Sequence, residues 1–432
     1  MRISTAMVYT KGVNAIQKQQ ADQVRTQQQI SSGMRILSPA DDPVGTAAVL
    51  ELTQYSGVNS QNIANANVIT NKLQTEETSL WDVGSLIQGV KEIAIEAGSG
   101  ILSTSDRESL ATSLQGMYQD LLGVANTTDE AGQYLFSGFM GNTAPFTETT
   151  PGTVAYNGDQ GQREIRLGSQ RQIAVSDPGA DIFQRIKNGN GTFVTAATSA
   201  PAPNAGTGLI SVGNVLDAAK WNSAANNKDF MLKFDVSAAN PPVTTYDIID
   251  NVTGNSLLTG ALPGVAPYPR TYTSGSTISL KSQGAEPAFD FGAELTINGD
   301  PATNDTFTVK ASTNEDIFTT ITNMIATLRT PVSVNQSIVR QNGLNTAMAN
   351  LNNALDNVLT VHATVGARMN EVTSVQSTQS DLNIQYQAQI GQIQNVDMAQ
   401  AISDFTLQNT QLQAALQSFS KTQSLSLFNY IQ

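Results

Sequence analysis

Cysteine is absent from this 432-residue chain, and histidine occurs once, at His362. The first absence excludes thiol nucleophiles, cysteine metal sites and disulfides, so the fold needs no disulfide. Charge is scarce as well: 14 % of residues, 23 basic against 36 acidic, for a net −13. With no basic patch to release counterions from phosphates, nucleic acid and anionic membrane are poor partners. No apolar run of 18 residues is present to span a bilayer. The opening MRISTAMVYTKGVNAIQ lacks the apolar core and small-residue cleavage site of a secretory signal, so an exported chain would need another route. Neither a Walker motif nor GxSxG nor HExxH occurs, and an uncharged polar surface with one histidine is poor ground for catalysis. The expectation is a protein without catalytic residues, cofactor or metal.

Proline placement outlines the architecture. Of 15 prolines, 12 lie between Pro145 and Pro301. Because proline is excluded from helix interiors, the flanks from Val44 to Ala144 and from Val332 to Gln432 are free to be helical, and the middle is not. This predicts a mainly α fold: a long-helix bundle built from both termini, a β-hairpin corner, and a small antiparallel β domain inserted between the helical halves. The expected division is 1–43 with 393–432 as terminal helices, flexible in a lone molecule, 44–188 with 313–392 as the helical bundle, and 189–312 as the β-rich outer domain.

The long seams follow three-four spacing. Leu52 to Ala94 form one, with Glu76 among mostly apolar positions, and Leu344 to Val372 form another that includes His362. Between them, Ser105 with Glu108 reads as a capping box ahead of Leu110, Leu114, Met117, Leu121 and Val124. From GQYLFSGF the period drops to two. Val154 and Tyr156 lead into NGDQGQ and out through Ile165 and Leu167, then Ile173 and Val175, as a hairpin or small meander. The stretch Gly189 to Gly213 reads as a linker. Strands are expected at Phe230 to Val236, Tyr246–Ile248, Ile278–Leu280, Leu295–Ile297 and Phe307–Val309.

The two ends carry the candidate functional residues. The last stretch places Met398, Ile402, Phe405, Leu412, Leu416 and Phe419 on one narrow stripe, interrupted by Asn395 and Asn409. Such a helix cannot bury its stripe against itself and needs a partner. Val13, Ile16 and Ile30 follow the same spacing near the other end, but Gln20, Gln23 and Gln27 occupy the centre. A seam that polar is marginal within one molecule, which points to assembly of many copies through paired terminal helices. Other constellations have local explanations. Asp41 and Asp42 sit between two prolines, where Asp serves turn hydrogen bonds, and Asp159, Asp300 and Asp305 lack the spacing of a calcium loop.

The segments ISSGMRILSPADDPVGTA, GQYLFSGF, GARMNEVTSVQ and AISDFTLQNTQLQAALQSFSKTQSLSLFNYI resemble bacterial axial flagellar proteins of the flagellin class. LFSG at the corner and the SLSLFNYI ending are similar to the junction proteins that lie between hook and filament. The resemblance covers roughly the first 145 and last 100 residues. It implies a structural adaptor whose terminal helices line a tube of copies, and export as an unfolded chain by the flagellar type III route. The expected partners are other copies, a hook-side junction protein, flagellin or the filament cap, and a cytosolic export chaperone. Leu425, Leu427 and Phe428 would join the terminal contacts between subunits. Flagellin itself is the nearest alternative, and a surface adhesin or tail fibre is the alternative of another class.

Overall fold

The computed structural model describes residues 5–99, 102–168, 171–198, 203–224, 226–263, 268–330 and 334–424. Seven α-helices are present among them: α1 (Thr5–Ser32), α2 (Pro43–Ala97), α3 (Thr104–Ala125), α4 (Ala218–Trp221), α5 (Ile317–Arg329), α6 (Val334–Gln394) and α7 (Met398–Ser424). Contacts divide the chain into two compact units. One comprises Met1–Asn67, Arg166–Arg171 and Thr373–Gln432; the other comprises Val68–Ile165 and Gln172–Val372.

In the larger unit, α2 runs antiparallel to α6. His362 lies beside Glu77, Leu355 beside Gly84 and Gln341 beside Gly98, so the partners descend as α2 ascends. The buried positions of α2 here include Ile69, Leu73, Glu76, Leu80, Val83, Ile87, Val90 and Ala94, a regular three-four seam. Those of α6 include Leu344, Leu351, Val358, Val365 and Val372, one per heptad. Each aliphatic side chain so buried stabilises the fold by roughly 1.5–3 kcal/mol before the entropy of ordering it is subtracted.

Helix α3 begins two residues earlier than the sequence pattern suggests. Ser103, not Ser105, is the N-cap: its hydroxyl accepts from the Asp106 N–H, and the Asp106 carboxylate accepts from the Ser103 N–H. Both S-x-x-D/E frames satisfy the capping rule, and the earlier one lengthens the helix. The buried face is rotated accordingly, running through Arg107, Ala111, Leu114, Tyr118, Leu121 and Ala125, with Leu110, Met117 and Val124 only half-buried. Its partner is α5, whose Phe318 meets Tyr118 edge-on at 6.0 Å. The Arg107 side chain is buried because it donates to the carbonyls of Leu328 and Thr330, both at 2.9 Å. These are orphan acceptors at the end of α5, so a cation there also suits the helix dipole.

The strands expected at Ile165 and Ile173 do pair, as Glu164–Arg166 with Gln172–Ala174, but the first hairpin turns elsewhere than expected. Phe146–Thr150 pairs with Thr153–Tyr156, turning at Gly152, where φ is +84° and the N–H donates to Glu148. NGDQGQ is a connector instead of a turn, folded around Asp159, which accepts from the N–H groups of Phe139 and Gly161. A glycine at positive φ makes the tighter reversal, and that decides the pairing. Beneath the hairpin, Phe136, Phe146, Phe183 and Phe318 form an aromatic node with ring centroids 5.2–6.0 Å apart. Phe136 is the aromatic of the LFSG segment. Gly138 of the same segment has φ +68°, and a Cβ there would sit 2.1 Å from the Asp159 carboxylate.

The inserted β domain belongs to the same unit. Its five-stranded sheet has the order Arg270–Thr271, Thr244–Asp250, Asp229–Val236, Thr306–Ala311, Phe193–Ala197, antiparallel throughout. A second sheet runs Thr277–Lys281, Asp290–Asn298, Leu209–Ile210, and Asn214–Val215 also pairs with its central strand. The alternation Phe230, Leu232, Phe234 faces a core shared with Trp221, Ile248, Leu280, Leu295, Ile297 and Phe307. The expected linker Gly189 to Gly213 instead contributes two strands, because Phe193 and Ile210 supply buried positions that its Pro- and Gly-rich centre obscures.

Helix α6 holds the irregular backbone of this region through asparagines. The Asn342 carboxamide accepts from the Ile210 N–H at 3.0 Å and donates to the Gly208 carbonyl at 3.0 Å, as a neighbouring strand residue would. Asn350 accepts from the Gly189 N–H, Asn353 donates to the carbonyls of Lys187 and Gly189, and Asn357 donates to those of Asp181 and Ile182. Their spacing places all four on one side of the helix. In the smaller unit, the same chemistry recurs: Asn59 donates to the Gln379 carbonyl, Gln379 donates to the Leu167 carbonyl at 2.8 Å, and Ser56 donates to Asn383 at 2.7 Å.

Replacing Asn342 by alanine strips a buried N–H and a buried C=O of their partners at once. We expect a loss of about 2–4 kcal/mol, read as a lower urea midpoint with an unchanged slope and as faster hydrogen exchange at Ile210.

Candidate assembly interface

The corner between the first two helices is built by the residues of SGMRILSPADDPVG. Gly33 ends α1 at φ +72°, its N–H returning to the Gln29 carbonyl at 2.9 Å. Asp42 caps α2 by accepting from the Gly45 N–H at 2.8 Å, and Pro43 occupies the first helical position, where its missing N–H costs nothing. Asp41 accepts from the N–H groups of Leu37 and Ser38 and pairs with Arg25 at 2.9 Å. These amide donors hold both carboxyls below the usual aspartate range, so the corner is intact above that range and loosens only as pH falls through it.

Arg35 links this corner to the other end of the chain. Its N–H donates to the Gln394 carbonyl at 2.7 Å, and its guanidinium donates to the Ile393 carbonyl at 2.8 Å and to Asp42 at 3.1 Å. The last carbonyls of α6 are thereby satisfied. The Val396 N–H donates to the Gly33 carbonyl, and Asp397 then caps α7 through Ala399 and Gln400. With its start fixed beside the end of α1, α7 returns antiparallel along α1 until Phe419 meets Tyr9 at 5.3 Å.

The face of α7 turned to α1 keeps Phe405, Leu412 and Phe419 of the stripe read from the sequence but not Met398, Ile402 and Leu416. Ala401 is buried, and Phe405, Gln408, Leu412, Ala415 and Phe419 are half-buried at regular three-four spacing. Met398, Ile402 and Leu416 lie outside this seam, 44 %, 52 % and 45 % exposed. On α1 the corresponding positions are Gly12, Ile16, Gln19, Gln23, Thr26 and Ile30, with Val13 half-buried at the margin. Small residues decide the rotation. A Cβ at Gly12 would sit 2.8 Å from the Phe419 ring, so only glycine lets the helices approach there. The signal was present in the sequence as Gly12, Ala401 and Ala415, which a search for aliphatic periodicity passes over. Leu425, Leu427 and Phe428 lie outside the described residues.

The pair is incomplete in two ways. The side-chain carbonyls of Gln19 and Gln408, both at seam positions, are buried without a hydrogen-bond partner among the described residues, a cost of about 1–3 kcal/mol each. On the outside, Met7, Val8, Tyr9, Val24, Ile402 and Leu407 leave apolar surface in water, and a cleft of about 380 Å³ remains open beside Gly12, Ile16, Ala415 and Phe419. Among the described residues no group of His, Cys, Asp and Glu is arranged to hold a metal, and His362 Nε2 faces only Glu77, at 3.6 Å.

Comparison with known proteins accounts for both ends. Residues 3–140 match the bacterial flagellin N-terminal helical region and residues 348–431 match the bacterial flagellin C-terminal helical region, together just over half of the chain. The chain belongs to the bacterial flagellin family. Among flagellin-family proteins, the flagellar hook-associated protein 3 of Salmonella typhimurium is 26 % identical over 428 residues, covering 99 % of both chains. That of Escherichia coli is 26 % identical over 430 residues, with the same coverage. The crystal structure of the flagellar junction protein FlgL from Legionella pneumophila superposes with a TM-score of 0.69 at 28 % identity, covering 81 % of this chain and all of that one. The helical frame and inserted β domain are thus shared with solved relatives. The flagellin models stop at the hairpin corner and resume within α6, so the β insert lies outside the family's common core.

Exchanging Gln19 and Gln408 for leucine removes two unpaired buried acceptors and adds apolar contact. We expect the α1–α7 pair to tighten by roughly 2–6 kcal/mol, seen as slower amide exchange in α1 and α7 and unchanged exchange in the β insert.

Proposed function

We propose that this chain is a structural adaptor of the bacterial flagellum that joins hook to filament, self-assembling through its paired terminal helices into a tubular layer. One observation carries the reading. The match to hook-associated protein 3 runs over 99 % of both chains, through the β insert, whereas the match to Listeria monocytogenes flagellin covers 30 % of this chain. A filament subunit would be expected to align over its own full length as well, so the adaptor is favoured over flagellin.

The physical basis is the unfinished terminal pair. In a cylinder of copies, Met398, Ile402 and Leu416 gain neighbours, and Val13, Ile16, Ile30, Phe405, Leu412 and Phe419 hold the hairpin those neighbours dock against. Leu425, Leu427 and Phe428 would extend the contact at the distal end. Burying apolar surface between copies is worth about 25 cal/mol per Å², which offsets the polar seam. In this arrangement 1–43 and 393–432 form the inner layer, 44–188 and 313–392 the next, and 189–312 faces solvent. The neighbours would be a hook-side junction protein on one side and flagellin or the filament cap on the other. A chain this free of cysteine suits export unfolded and assembly outside the cell, with a cytosolic chaperone covering the C-terminal helix beforehand. Catalysis has no part in the reading.

Deletion of Ser403 to Gln432 tests it. Cells carrying the deletion should build hooks, shed flagellin into the medium and lack attached filaments by electron microscopy. Filaments of normal length and number on such cells would refute the adaptor role.

A further inference from the structure

One side chain in the apolar seam of α2 and α6 is out of character. Glu76 occupies a regular seam position between Leu73 and Leu80 and is fully buried. Among the described residues its only hydrogen-bond partner is the N–H of Asp177, which donates to Oε1 at 2.8 Å, and Oε2 has none. The cations around it are committed elsewhere. Arg368 of α6 clamps Asp177 with two bonds, at 2.8 and 3.0 Å. Arg163 is spent on Gln133 and the Tyr134 carbonyl, at 2.9 and 3.0 Å. Lys72, one turn earlier on α2, pairs with Asp129 at 2.6 Å, and the neighbouring Glu77 faces His362. The carboxyl of Glu76 therefore touches apolar side chains, one amide and the neighbourhood of the mostly buried Asp177 carboxylate, and the Arg368 and Arg163 charges oppose its neutralisation only through space, less strongly than burial and Asp177 favour it.

An ionised carboxylate so placed loses its hydration and gains little in return, whereas the neutral acid loses far less. We infer that the bundle contains a proton-linked lock: Glu76 enters the folded seam as the neutral acid, and loss of that proton weakens the joint between α2, the Ser176–Asp177 segment and α6. Burial first, and the Asp177 charge second, push the Glu76 carboxyl up to about 7. The sign follows from linkage. Between the ordinary glutamate range and neutrality the folded chain keeps a proton that the unfolded chain has released, so stability falls as pH rises through this window and levels off above it. The usual buried carboxylate, held down by an arginine, behaves in the opposite way. Here Asp177 has taken the arginine, and Glu76 is left to the proton. The buried acid also serves the register: sliding α2 by one heptad would bring Ile69 or Val83 opposite the Asp177 N–H and strand that donor.

Thermal and urea unfolding of the full-length protein from pH 5 to 8 tests the lock, with Glu76→Gln alongside. From pH 5 to 7 the unfolding constant of the wild type should rise relative to that of E76Q by about tenfold per pH unit, and above pH 7 the two should run parallel. Parallel curves over the whole range would overturn the inference. Should E76Q not fold, the carboxyl ¹³C shift of Glu76 in the wild-type protein decides: a midpoint near neutrality supports the lock, and a midpoint in the ordinary glutamate range refutes it.

Discussion

The carboxamide along α6 is the interaction on which the rest depends. Asn342, Asn350, Asn353 and Asn357 present donors and acceptors to backbone that no strand or helix completes, from Asp181 to Ile210. An amide can do both jobs without the desolvation cost of a charge. This accounts for a composition that looked merely bland, with few charged residues and abundant Asn and Gln. The β insert is seated on the bundle by hydrogen bonds at its edge, while its core is its own.

Motif residues that suggest recognition turn out to shape backbone. In SPADDPVG, Asp42 caps α2 and Pro43 starts it, and at Gly45 a Cβ would crowd the Asp42 carboxylate. In LFSG, Phe136 fills the aromatic node and Gly138 supplies a positive φ against Asp159. These features orient the ends of long helices. An axial protein needs that more than it needs a pocket, since small angular errors at a corner are magnified along a helix of 55 or 61 residues.

In the proposed assembly, the terminal pair is kept from being too stable alone. Gln19 and Gln408 weaken the seam from inside, glycine and alanine bring the helices close without adding much buried area, and Met398, Ile402 and Leu416 lie outside it. A tight two-helix core would leave nothing for neighbours to bury. The free energy withheld within one copy is what association can recover.

Periodicity and proline placement, both local properties, were enough to determine a helical frame from both termini, a β insert near its observed position and the α2 and α6 seams. The family was legible for the same reason, since the segments that cap and turn the backbone recur wherever the same corner must be made. Tertiary structure alone decided which way a helix faces. The true seam of α7 runs through Ala401 and Ala415, and that of α3 through Tyr118 and Ala125, because close approach favours small residues and aromatic fit over aliphatic count. The asparagine contacts and the isolation of Glu76 were equally invisible, since each depends on residues over a hundred positions apart that only the folded chain brings together.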